Sequence, residues 1–132
     1  LARILLKYYW KHTVEIVSEG EADAYVLIGD RTFGKKENVN YAYDLGHYWK
    51  EFTGLPFAFA VWVSNKELPA DFVASFNQAL AAGVTQAEEV IPGLPIYPNF
   101  DYKFYLTQNL DFKLDTPKRK AIAKYLTLFQ SL

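Results

Sequence analysis

Asp44 to Trp62 reads DLGHYWKEFTGLPFAFAVW, two different patterns joined by a four-residue turn. The first pattern sets Leu45, Tyr48, Trp49 and Phe52 on one side of a helix, the spacing of an element packed along one face. Asp44 stands where a carboxylate accepts from the free N–H groups of a first turn. Thr53-Gly54-Leu55-Pro56 then predicts a stop, because Gly54 can take the left-handed conformation and Pro56 prevents continuation. The second pattern, Phe57 to Val63, carries no charge and is rich in aromatic and β-branched residues, so it predicts a buried strand.

Working outward, Leu1, Ile4, Leu5, Tyr8 and Tyr9 repeat at helical spacing with Arg3, Lys7 and Lys11 on the other side, as in a surface helix. Thr13 to Val17 alternates apolar and polar residues. Ala22 to Ile28 is more continuously apolar, as in a strand covered on both faces, and so implies a parallel sheet. Arg31 to Asn40 reads as a loop and Tyr41 to Tyr43 as a short strand. Downstream, Pro69 suits a first helical turn, and Phe72, Phe76, Ala79 and Leu80 carry helical periodicity up to Gly83. Val84 to Ile91 reads as a short helix before the segment holding Pro92, Pro95 and Pro98. Asp101 to Leu110 and Thr116 to Leu132 read as two more helices, the second starting at Thr116-Pro117. One obvious strand for four helices in this half means that the expected sheet lacks companions.

Composition narrows the functional classes. At 132 residues the chain fits one compact domain, and 51% apolar with 22% charged residues is a globular balance. A formal net charge of -1 argues against nucleic acid and anionic lipid as partners. No apolar run reaches the length of a membrane span, the longest being Leu55 to Val63. The chain has no cysteine, which removes disulfides and thiolate metal sites and suits a reducing compartment, so the cytoplasm is the expected location. The chain opens on Leu1 with helical residues, and a missing upstream segment is expected.

Two segments are candidates for chemistry. Ile28-Gly29-Asp30-Arg31 follows an expected strand, and open α/β sheets bind ligands beyond the carboxyl ends of their strands. Gly29 would admit a close ligand; alternatively Gly29-Asp30 is a plain strand exit with Arg31 in solvent. Thr53 and Gly54 could present a hydroxyl and a backbone N–H at the same mouth, although capping alone accounts for the Gly and the Pro. His12 and His47 have no second ligand at metal spacing and read as surface histidines. There is no G-x-S-x-G, P-loop or G-x-G-x-x-G motif. The aromatics read as core, and Lys118-Arg119-Lys120 reads as a solvated run.

Together ADAYVLIGDR, YDLGHYWKEFTGLPFAFAVWV and the helix that follows resemble the chorismate dehydratase family of the futalosine route to menaquinone. The resemblance spans almost the whole chain, with its specific core in Ile28 to Asp30, Asp44 to Gly46, Trp49 and Thr53 to Trp62; the last thirty or so residues match in pattern only. The related dihydroxynaphthoate synthase branch tends to show an LPLGG-like segment where this chain reads LPFAFAVW. Members resemble two-lobed type II periplasmic-binding proteins of about twice this length. The resemblance therefore implies a partial α/β fold, with 1–55 part of the second lobe and 56–132 the return strand and C-terminal helices of the first. On that reading Phe57 to Val63 crosses back into the first lobe's sheet, whose other strands come from a missing N-terminal half.

The activity implied is that of a hydro-lyase, in which chorismate loses water to give 3-[(1-carboxyvinyl)oxy]benzoate with no metal and no organic cofactor. Such a site must hold a dianion, take a ring proton and assist the leaving hydroxyl. Gly29, Asp30, Arg31, Thr53 and Gly54 are the expected substrate-binding residues, Asp30 as an organiser paired with Arg31 or backbone N–H groups. No residue of this chain matches the family's acid-base motifs, so the catalytic base stays unassigned. The alternative is a solute-binding lobe that holds a small carboxylate without changing it.

Overall fold

Helix α2 (Leu45–Thr53) forms where the pattern predicts it, and its two ends show why. The Asp44 carboxylate accepts from the N–H groups of Gly46 at 2.9 Å and His47 at 3.2 Å, satisfying donors that a first turn leaves free. At the other end Gly54 sits at φ 71° and its N–H donates to the Lys50 carbonyl at 2.8 Å. These features belong to a computed structural model that describes residues 1–33, 35, 39–97 and 100–132, without the side chain of Asp30. Gly34, Lys36, Glu37 and Asn38 of the expected loop, and Pro98, lie outside the described residues.

The other expected helices are present. Helix α1 (Ala2–Ile4) runs on as a π-helical stretch (Leu5–Trp10), ending at Lys11 with φ 55°. Helix α3 (Ala70–Thr85) starts after Pro69 and passes through Gly83 rather than stopping there. Helix α4 (Ala87–Val90) leads into a 3-10 turn (Ile91–Gly93). Helix α5 (Tyr102–Phe104) continues as π-type turns (Tyr105–Asn109), and α6 (Thr116–Gln130) follows. The cap of α6 is Asp115, one residue ahead of Thr116-Pro117, and it accepts from the Lys118 N–H at 3.0 Å. Among the described residues no helix is long and apolar enough to cross a membrane.

The expected strands are a different matter. Among the described residues no β-ladder forms, and Thr13–Val17, Ala22–Ile28, Tyr41–Tyr43 and Phe57–Val63 run without regular structure. Phe57 to Val63 is not buried throughout in this chain: Phe57 is half-buried, whereas Trp62 and Val63 are 77% and 86% exposed. A helix closes its hydrogen bonds within itself, but a strand borrows them from a neighbour, and these segments have no paired neighbour among the described residues.

Contacts divide the chain into two units, one of Leu1–Phe59 with Leu114–Leu132 and the other of Ala60–Lys113. In the first, Ile4, Trp49 and Ala121 are fully buried and bring α1, α2 and α6 together, with Leu1, Tyr8, Leu55, Phe57, Tyr125 and Leu128 around them. The Trp49 ring meets Phe57 and Tyr125 edge-on at centroid distances of 5.4 and 6.2 Å. Lys118 is a correction to the solvated run. It is 8% exposed, and its ammonium lies 3.3 Å from the Asp115 carboxylate, because the face that carries Ala121 into the core carries Lys118 with it. In the second unit α3 buries no residue, although Phe76 stacks on Phe72 and meets Trp62 at 5.4 Å.

Candidate functional site

The Gly29 segment is a short 3-10 turn (Gly29–Thr32) with Gly29 at φ 67°, a conformation that favours glycine. The Thr32 hydroxyl donates to the Gly29 carbonyl at 2.7 Å, and the Lys35 N–H donates to the Thr32 carbonyl at 3.2 Å. Thr32 was not among the residues expected to matter, though a threonine three residues beyond a turn glycine is a recognisable signal. No heavy atom of the described residues lies within 4 Å of the position a Cβ at Gly29 would take. Arg31 is exposed and makes no ion pair among the described residues.

The second segment is more tightly organised. The Thr53 hydroxyl donates to the Trp49 carbonyl at 2.7 Å and accepts from the Leu55 N–H at 3.2 Å. The Trp49 indole N–H donates to the Pro56 carbonyl at 3.2 Å, and Gly54 spends its own N–H on Lys50. The hydroxyl and N–H expected to face a ligand are therefore engaged inside the turn. Gly54, like Gly29, has no heavy atom of the described residues within 4 Å of a Cβ position. Sequence reasoning missed the indole bond of Trp49. The spacing signals only the Thr53 hydroxyl's bond, since a threonine four residues after a helical residue can reach back to its carbonyl.

The Gly29 and Thr53 segments each close their hydrogen bonds locally, and among the described residues no hydrogen bond joins them. Two open hollows, one beside Val84, Leu106 and Phe112 and one beside Arg3, Lys11 and His12, include none of Gly29, Arg31, Thr53 or Gly54. Among the described residues there is no cluster of three or more metal-ligand side chains.

A third polar arrangement lies along α2. The Tyr9 hydroxyl donates to one Glu51 oxygen at 3.0 Å, and the exposed His47 ring lies 3.6 Å from the other. That hydrogen bond to Glu51, with smaller help from burial and the carboxylate charge, holds the Tyr9 phenol above its ordinary pKa of 10.0. Tyr9 also packs at 5.7 Å on Phe52 and 6.1 Å on Tyr48, so the arrangement braces the π-helical stretch (Leu5–Trp10) against α2.

A family model described as menaquinone biosynthesis matches residues 1–131, which is nearly all of the chain. No solved structure matches it.

Proposed function

Because the chain belongs to the menaquinone-biosynthesis family, we propose that it is part of a chorismate dehydratase that supplies one wall of the substrate cleft. The observation that carries this reading is the family match over residues 1–131 together with TGLPFAFAVW at Thr53 to Trp62, where the sister branch tends to an LPLGG-like segment. In the reaction a ring C–H bond and the ring C–O bond of the hydroxyl break, water leaves, and the ring becomes aromatic. No residue is assigned as the base. Arg31 and the N–H of Gly29 are the donors of this chain suited to a carboxylate, since the donors at Thr53 and Gly54 are engaged within their turn. The cysteine-free composition suits a cytoplasmic enzyme.

The two-lobed reading of the fold draws support from the exposed apolar segments. Tyr25, Val26 and Ile28 are 69%, 59% and 78% exposed, and Trp62 and Val63 77% and 86%, a pattern that asks for strands from another part of the same protein. The test is a product assay on the complete gene product with chorismate. The expected result is a product lighter than chorismate by one water and identical to 3-[(1-carboxyvinyl)oxy]benzoate. Chorismate binding without product would favour a solute-binding lobe instead.

A further inference from the structure

We propose that Thr53 and Trp49 are positioning residues that hold Gly54 as a bare backbone face for the substrate ring, an inference that rests on the dehydratase reading. The turn has little to donate to an anion. Thr53 has a single hydroxyl proton and gives it to Trp49, Gly54 gives its N–H to Lys50, Leu55 gives its N–H to the Thr53 oxygen, and Pro56 has none. What remains is shape. Gly54 holds φ 71° with no heavy atom of the described residues within 4 Å of a Cβ position, and a glycine in that conformation lets a ligand lie directly on the backbone.

Two hydrogen bonds bracket that face. Thr53 to Leu55 closes the turn from within, and Trp49 to Pro56 ties it to the core, since the Trp49 ring is fully buried with Ile4 and Ala121. A flat six-membered ring resting on the Gly54 peptide would therefore meet a surface whose tilt is set by a hydroxyl and an indole that never touch it.

The experiment compares Thr53→Val, which keeps the shape and loses the hydroxyl, with Thr53→Ser, which keeps the hydroxyl, in the complete protein. Thr53→Val should raise KM for chorismate about tenfold and alter kcat much less, while Thr53→Ser stays within about twofold of wild type. Faster hydrogen exchange at the Leu55 amide in Thr53→Val would show that the intended bond was lost. Should Thr53→Val fail to fold, Trp49→Phe, which keeps a ring and removes the N–H, is expected to shift KM in the same direction. A wild-type KM in a folded Thr53→Val or Trp49→Phe protein overturns the inference alone. If wild-type protein binds chorismate without converting it, the dissociation constant replaces KM in the same comparison. A wild-type protein that neither binds nor converts chorismate overturns the functional reading and this inference with it.

Discussion

Gly46 and Gly54 show two opposite uses of a missing side chain. A Cβ on Gly46 would stand 2.8 Å from the Phe59 ring tip and 3.3 Å from the Asp44 carboxylate, but Phe59 is 71% exposed and free to swing away. Alanine also favours a helix by about 0.8–1 kcal/mol over glycine, so Gly46→Ala should change stability by less than about 0.5 kcal/mol. Gly54 has open space but the wrong sign of φ for alanine, so Gly54→Ala should cost about 1–2 kcal/mol. Urea unfolding midpoints of the two variants check the contrast, and equal midpoints would refute it. Tyr9 supplies a pH test. Its phenol is raised above 10.0, so its stabilising bond to Glu51 is fully present below pH 10.0 and is lost as pH rises through the raised value. An NMR titration of Tyr9 should find it ionising later than an ordinary tyrosine, and Glu51→Gln should bring it back toward 10.0.

Helices and strands fared differently for reasons internal to each. Asp44, Gly54, Pro69 and Asp115 stand at helix ends and act locally, which is why the bounds of α2 and the start of α3 were readable from a handful of residues. Ala22 to Ile28 and Phe57 to Val63 have strand composition, yet composition carries no partner, and none is paired among the described residues. The same limit hid Lys118, whose run of three cations looks solvated until α6 is packed by Ala121. Asp115 both caps α6 and faces the Lys118 ammonium at 3.3 Å, so Asp115→Ala should cost about 2 kcal/mol, a lost cap plus a lost ion pair. Asp115→Asn, which can still cap, should lose about half as much, and Lys118→Met should be nearly neutral. Thermal unfolding of the three variants tests that order; a Lys118→Met loss as large as that of Asp115→Ala would show that the charge pair itself is stabilising.

The chain as a whole hides few residues for its size: Ile4, Leu5, Trp49 and Ala121 are the buried apolar ones among the described residues. Uncovered Phe59, Trp62 and Val63 lie in a run without charge or internal proline, the composition of a sticky edge. Expressed by itself, the chain should associate in a concentration-dependent way and bind an apolar dye, and Trp62→Lys with Val63→Lys should reduce both. A monomer by sedimentation with a single sharp unfolding transition and no dye binding would contradict this. The candidate site was readable as two segments, Gly29 to Arg31 and Thr53 to Gly54, because glycine and turn chemistry are local. Which donors of those segments stay free was not readable, since that depends on bonds such as Trp49 to Pro56 that exist only once the turn has closed.

The limits and caps of α2, the left-handed Gly54 and the family itself were written in the linear order of residues, because each depends on neighbours a few positions away or on motifs kept in register. Packing alone decided that Trp49 is fully buried while Trp62 is 77% exposed, and that Lys118 leaves the solvent. Burial depends on which distant segments meet, as Ile4, Trp49 and Ala121 do, and no local pattern specifies that meeting.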